Sequence, residues 1–202
     1  MMLYKISEII DRILIKRDDF IIISNNCWGY EIYKIIGVKY NTPFVGLYMY
    51  PNCYLKLLEN IEFYLLSELK FKNNSKYFNG SVKYPIGLLD GTLEIHFLHY
   101  IDEAEAKEKW ERRVSRLFDE MHPDKGNVFV KFCDRDGAKK EDLLRFHKLP
   151  FKNKVSFGKQ DIQVIDHIKV PVSKNENRIT TGDDLFRNRY KYFNFSKWIN
   201  KK

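Results

Sequence analysis

Short runs of β-branched and aromatic residues alternate along this chain with stretches whose apolar residues recur at helical spacing. Ile6, Ile9, Ile10, Ile13 and Leu14 fall on one face of a helix predicted over 6–17. Phe20-Ile21-Ile22-Ile23 is a continuous apolar run of the kind that forms a strand buried on both faces. Polar Ser24-Asn25-Asn26 follows, and then a helical pattern through Ile32, Ile35 and Ile36 that stops at Gly37. Phe44 to Tyr50 reads as a second strand ended by Pro51, and Tyr54, Leu57, Leu58, Ile61 and Leu65 mark the next helix.

The middle of the chain carries two sharper signals. Tyr84 to Leu89 and Leu93 to Tyr100 flank Asp90-Gly91, which predicts an antiparallel hairpin. Asp102 and Glu105 have capping-box spacing at the head of a helix whose seam is Ala106, Trp110, Val114, Leu117 and Met121. Val128 to Phe132 is another buried-type strand, followed by Asp134-Arg135-Asp136-Gly137 and a short helix near 139–147. Val155 to Phe157 and Ile162 to Val172 supply further strands. A polar loop (173–182) leads to a segment with Phe186, Tyr190, Phe193 and Trp198.

Strands alternating with helices predict a layered α/β/α fold on a mixed, largely parallel sheet that includes the antiparallel hairpin. The 202 residues fit a single α/β domain, with 1–19 as a helical extension and 173–202 as a loop and aromatic segment packed on it. Hydrophobic residues make up 44% and charged residues 31%, a globular composition rather than a disordered one. Cys27, Cys53 and Cys133 form an odd set without metal-ligand spacing, which argues against a disulfide framework or a zinc site. Acidic residues among the first 19 exclude a signal peptide, and no apolar run approaches a membrane span. The chain therefore reads as cytoplasmic. A net charge of +8 favours anions: nucleotide-activated donors, acidic glycans, nucleic acid or the anionic inner leaflet.

In open α/β sheets ligands bind beyond the carboxyl ends of the strands. Two polar turns fall there. In the first, Cys27 is read at the start of a helix, where unpaired N–H groups and the dipole would favour a thiolate. Ser24, Asn25 and Asn26 could position a substrate or stabilise an oxyanion beside that nucleophile. A base could come from Leu93–Tyr100, where two-residue alternation puts Glu94 and His96 on one face and His99 on the other. His99 lies nearer the crevice, and His96 has Glu94 to orient it. In the second turn Asp134 and Asp136 have the spacing to share a divalent cation on a sugar nucleotide, or simply to form a turn ending at Gly137. Lys109, Arg112, Arg113 and Arg116 form a basic stripe on one helix, able to grip phosphate or an acidic glycan, or to serve as a solvated face.

Six stretches together carry a resemblance: residues 23–29 (Ile-Ser-Asn-Asn-Cys-Trp-Gly), 42–47, 94–100 (Glu-Ile-His-Phe-Leu-His-Tyr), 109–113, 130–136 (Val-Lys-Phe-Cys-Asp-Arg-Asp) and 149–154. They resemble the bacterial domain-of-unknown-function family nineteen-nineteen, often labelled exopolysaccharide biosynthesis protein, over about residues 20 to 198. Tyr30 stands where that family pattern has a second glycine. The Asn26-Cys27 turn is also similar to a capsule acetyltransferase family that uses coenzyme A, and to the serine turn of the Gly-Asp-Ser hydrolases. These resemblances imply surface-polysaccharide synthesis and a group-transfer enzyme acting on a glycan or activated sugar precursor. Its donor would be a coenzyme A thioester, or else a sugar nucleotide held with a divalent cation. A non-catalytic glycan- or anion-binding module is the remaining alternative. The implied partners extend to membrane-bound polysaccharide machinery at the inner face of the membrane, and nucleic acid is not expected.

Overall fold

A computed structural model of the chain describes residues 2–172 and 177–201. The elements run α1 (Met2–Leu14), β1 (Ile21–Ser24), α2 (Glu31–Ile36), α3 (Pro51–Glu59), α4 (Ile61–Leu66), β2 (Leu69–Lys72), β3 (Ile86–Leu89) and β4 (Leu93–His96). They continue with α5 (Glu103–Glu120), β5 (Val128–Cys133), α6 (Lys140–Lys148), β6 (Asn153–Gly158), β7 (His167–Lys169), α7 (Gly182–Arg187), α8 (Arg189–Tyr192) and α9 (Phe195–Ile199). The α/β class expected from the alternation is the class observed. The strands form two sheets: a parallel one in the order β1-β5-β6-β7 and an antiparallel one in the order β2-β3-β4.

Alternation along the parallel strands divides the core between two faces. Ile21, Ile23, Val128, Val130 and Phe132 meet Tyr54 and Leu57 of α3, Trp110 and Leu117 of α5, and Phe146 of α6. This cluster continues into the antiparallel sheet through Leu69, Leu89, Leu93 and Ile95. Ile22, Phe129, Val155 and Phe157 meet Ile32 and Tyr33 of α2 and the aromatics of α7 and α9. Trp28 sits at the centre of that second cluster. Its ring centroid lies 5.6 to 6.2 Å from those of Phe157, Phe186, Phe193, Phe195 and Trp198, mostly edge-on. The turn after β1 is thereby anchored from below.

The hairpin forms as the Asp90-Gly91 pair predicts, with φ of 49° and 64° at the two residues, both in the left-handed region a tight turn needs. It pairs with β2, an element the expected set lacked, rather than joining the parallel sheet. Asp102 caps α5, accepting from the Glu105 amide at 2.8 Å, while Glu105 bonds the Ile101 amide at 2.7 Å. Phe44 to Tyr50 is not a strand: only Tyr48 bridges to His96, because Gly46 turns the backbone to φ 70°. The helix expected through 54–65 is two helices, broken where Asn60 leaves helical geometry (φ −142°, ψ 59°). The strand expected over 162–172 shrinks to β7. Residues 173–176 of the polar loop lie outside the described residues.

The largest departure is α1. A face of Ile6, Ile9, Ile13 and Leu14 would ordinarily pack inward. Here all four are exposed, Ile13 by 59%, Ile10 of the same face is half-buried, and Ser7 and Asp11 are buried instead. Asp11 explains the rotation. Its carboxylate is paired to the fully buried Arg189 and accepts from the Tyr190 hydroxyl at 2.6 Å. A buried guanidinium without its carboxylate would be costly, so the ion pair outweighs burial of the isoleucines.

Candidate functional site

The two turns singled out in the sequence open on one cavity at the carboxyl ends of β1 and β5. It has a volume of about 550 Å3, and Asn26 and Cys27 line it from the first turn, Arg135 and Asp136 from the second. His99, just past β4, Arg178, and Thr181 and Asp183 at the head of α7 add to its polar lining, and Tyr48 and Tyr50 form an aromatic wall. Gly182 lets α7 approach. A Cβ there would lie 2.6 Å from both Asn26 Oδ1 and the Cys27 carbonyl oxygen, so no larger residue fits without moving the turn.

A buried polar network supports the floor. Lys131 projects from the centre of β5 and is fully buried. Its ammonium donates to Asn26 Oδ1 at 2.7 Å, Asn25 Oδ1 at 3.2 Å and Cys133 Sγ at 3.1 Å. Asn26 Nδ2 donates to Cys133 Sγ at 3.1 Å and to Asp136 Oδ2 at 3.4 Å. The orientation of both asparagines is thus fixed by one lysine. Burial pushes the Asp136 carboxyl above its ordinary range, against the pull of Lys131. Asp183 is raised as well, by burial and then Glu31, with Arg187 and His99 pulling the other way, and its Oδ1 is buried without a hydrogen-bond partner among the described residues.

A family model described as a domain of unknown function, DUF1919, matches residues 2–200. The chain belongs to the DUF1919 family. It is also similar to a protein of Haemophilus influenzae (strain ATCC 51907 / DSM 11121 / KW20 / Rd), described as an uncharacterized protein. The two are 39% identical over 181 residues, 90% of this chain and 77% of that protein. Three of the six stretches that carried the resemblance, 23–29, 94–100 and 130–136, border the cavity of this DUF1919 chain.

Several expected roles change once placed in this framework. Cys27 is not at a helix N-terminus: α2 begins four residues later, and Cys27 is only 7% exposed. Its Sγ donates to the Leu47 carbonyl (3.6 Å), and burial, reinforced by Asp183, pushes the thiol up to about 12. The depressed pKa expected from a helix dipole is therefore reversed. Ser24 is fully buried and accepts weakly from the Asn26 amide at 3.4 Å, so it braces the turn and does not line the cavity.

The two histidines separate because β4 ends at His96 and a turn carries His99, where one strand through Tyr100 is expected. His96 is fully buried beneath the cavity wall, stacked on Tyr48 at 4.4 Å, with Nε2 3.4 Å from Glu94 Oε2. Burial pushes His96 down to about 4, and Glu94 is committed to Lys72, Ser75 and the Lys76 amide. His99 is exposed and faces the cavity. Its position depends on Gly46, whose carbonyl accepts the His99 amide at 3.1 Å and where a Cβ would crowd His99 Cβ at 3.2 Å.

The aspartates of the second turn also part company. Asp136 faces the main cavity, whereas Asp134 lines a separate one with Lys139 and Lys140 and accepts from the Lys159 amide at 2.8 Å. The pair does not converge as shared cation ligands would. Among the described residues no group of three or more His, Cys, Asp or Glu is arranged to hold a metal ion. The basic stripe divides likewise. Arg112 is exposed and paired with Glu108 at 2.8 Å, Lys109 is paired with Glu105, and Arg116 reaches the Tyr40 carbonyl at 3.2 Å. Arg113 is buried along with the Trp110 seam, not part of a solvated face.

Lys131, Asp183 and the Tyr48/Tyr50 wall escaped the sequence reading. A signal existed for one of them: a lysine in the middle of Val128–Phe132 is out of place in a strand buried on both faces, and a buried lysine needs acceptors. Nothing local marks Asp183 beyond the cap at Thr181, which accepts from the Asp184 amide.

Proposed function

We propose that this cavity is the reaction site of a group-transfer enzyme that modifies a surface glycan or its activated precursor. The observation that carries the reading is the convergence of Cys27, His99, Asp136 and Asp183, from four separate segments, on one cavity with a tyrosine wall. Such a wall suits the apolar face of a sugar ring, and a volume of about 550 Å3 is ordinary for a small-molecule site. Carboxyls that burial raises above their usual range, in a cavity shared with a histidine, are suited to proton transfer.

With its pKa near 12, Cys27 enters the reaction as a thiol. In the acyl-transfer form of the proposal, Sγ attacks the carbonyl carbon of a thioester donor while Asp183 or His99 takes its proton. The sulfur–carbon bond forms as the donor thiol departs with that proton. A sugar hydroxyl then attacks the acyl-cysteine, gives its proton to the same base and regenerates the thiol. Incubation with acetyl-coenzyme A tests this. Intact-protein mass spectrometry should show one acetyl adduct, mapped to Cys27 and absent from Cys27→Ala. No adduct in the parent chain ends the nucleophile role.

One observation favours a second reading. A thiol that is buried, raised and bonded to a carbonyl is also what an inert wall residue looks like. On that reading the cavity binds a glycan precursor without turning it over, and Cys27→Ala leaves binding intact.

The outward face of α1 supports placing this activity at an anionic membrane surface. No helix among the described residues is long and apolar enough to cross a membrane. Exposed Ile6, Ile9 and Ile13, with exposed Lys5 in α1 and Lys16 just past its end, suit an interfacial helix.

A further inference from the structure

Beside the main cavity lies a second one of about 320 Å3, and His99 lines both. Its walls carry three cations, Lys34, Lys109 and Arg113, and three tyrosines, Tyr30, Tyr40 and Tyr100. Among the described residues no carboxylate lines it. Of the nearby acids, one is paired with a cation of the wall itself and the other is engaged elsewhere. Glu105 holds Lys109 and the Ile101 amide, and Glu31 accepts from the Tyr4 hydroxyl at 2.9 Å and lies 3.6 Å from Arg187.

Arg113 makes this arrangement unusual. It is only 8% exposed, yet no carboxylate among the described residues lies within ion-pair distance of it. Its guanidinium donates from Nη1 to the Tyr100 hydroxyl at 2.7 Å and lies 5.1 Å from the Tyr40 ring centroid. The Tyr100 hydroxyl passes its own proton to the Val45 carbonyl at 2.7 Å, so that oxygen is held as an acceptor and Arg113 is held in place. A guanidinium has five N–H donors, and a buried charge is normally paired. The remaining donors belong to a side chain that lines the cavity. Lys109, itself paired with Glu105, lies over the Tyr100 ring at 5.7 Å on the same wall.

We propose that this second cavity is a phosphate subsite that receives the diphosphate or phosphate of a substrate whose sugar or acyl portion occupies the main cavity. The geometry would place His99 at the junction, between the anchored phosphate and the group undergoing transfer. Planar guanidinium donors suit phosphate oxygens, and cationic walls without acids suit the charge. The proposal rests on the main cavity being the reaction site, but its test does not need turnover.

The probe is inorganic pyrophosphate, titrated calorimetrically into the full chain, with glucuronate as a carboxylate comparison. Pyrophosphate should bind measurably and glucuronate at least tenfold more weakly. Arg113→Gln should weaken pyrophosphate at least tenfold, and Lys34→Ala, at an exposed position unconnected to the core, several-fold. Arg112→Gln, outside the cavity and paired with Glu108, should leave affinity unchanged. Pyrophosphate should also slow diethyl pyrocarbonate modification of His99, read by peptide mass spectrometry. If Arg113→Gln does not fold, Lys34→Ala against Arg112→Gln decides. No binding by the parent, equal losses in the Arg112 and cavity variants, equal binding of glucuronate, or unprotected His99 would each overturn the proposal. Cys27→Ala should bind pyrophosphate normally, so failure of the cysteine chemistry and failure of the subsite are separate results.

Discussion

Lys131 and Asn26 hold each other in one orientation: the ammonium donates to Asn26 Oδ1 at 2.7 Å, which turns the amide nitrogen toward Cys133 Sγ at 3.1 Å. Both residues are buried, and the floor of the cavity depends on this bond. Lys131→Met keeps the length of the side chain but removes the donor to Asn25, Asn26 and Cys133. An acceptor left buried without a donor costs about 1–3 kcal/mol. Urea unfolding should therefore show a loss of that order, with Asp136 driven still further from its ordinary range. An unchanged unfolding midpoint would mean that the asparagines find other partners.

Cys27 gives a kinetic expectation opposite to the one its sequence suggested. A thiol raised to about 12 carries almost no thiolate at pH 7 to 8. Iodoacetamide should label Cys27 in the folded chain far more slowly than a free thiol, and rapidly once the chain is unfolded. Fast labelling of the folded protein at neutral pH would restore the activated-nucleophile view.

How much was legible follows from which features are local. Runs such as Phe20–Ile23 and Val128–Phe132 declared buried parallel strands, and the strand-end rule then brought Cys27 and Asp136 to one cavity. The Asp90-Gly91 turn and the Asp102 cap were equally local. Long-range pairings were not. Asp11 gave no sign that Arg189, far along the chain, would pull it inward and turn the isoleucines of α1 outward. The local pattern puts Cys27 at the head of a helix, whereas Trp28 packs among C-terminal aromatics and α2 begins only at Glu31. His96 and His99 do part, but because β4 ends at His96 and a turn follows, and only the tertiary structure shows His96 buried and His99 at the cavity.

His96 should make stability depend on pH. Burial holds it near 4 in the folded chain, against an ordinary value of 6.5. Between those values the unfolded chain binds a proton that the folded chain refuses. Stability therefore falls as pH drops through that window, by an amount on the order of 3 kcal/mol at most. His147, pushed down to about 4 by burial, acts in the same direction. Unfolding midpoints at pH 7 and pH 4.5 should differ less in His96→Gln than in the parent. Equal differences would assign the loss to other groups.

The apolar face of α1 should bind vesicles that contain anionic lipid. Flotation with phosphatidylglycerol vesicles should carry the chain upward, and neutral phosphatidylcholine vesicles should not. Ile9→Asp, at an exposed position, should reduce flotation without changing thermal stability. Flotation that is equal for parent and variant would place the contact elsewhere on the basic surface.

Gly182→Ala should disturb the site from the opposite side. The added methyl would meet Asn26 Oδ1 and the Cys27 carbonyl at 2.6 Å, inside van der Waals contact with both. Neither side yields easily. Asn26 is bound by Lys131, and Trp28 is locked among aromatics of α7 and α9. Overpacking of this kind costs about 1–3 kcal/mol, so the thermal midpoint should fall. The strain falls on the turn that carries Cys27, which gives a second and more specific readout. If the turn is pushed off α7, alkylation of Cys27 should accelerate while Cys53, buried in another part of the core, keeps the parent rate. Global loosening would instead raise all three rates together. An alanine variant with the parent's midpoint and the parent's Cys27 rate would show that α7 can retreat, and that its close approach to the turn is not what shapes the cavity.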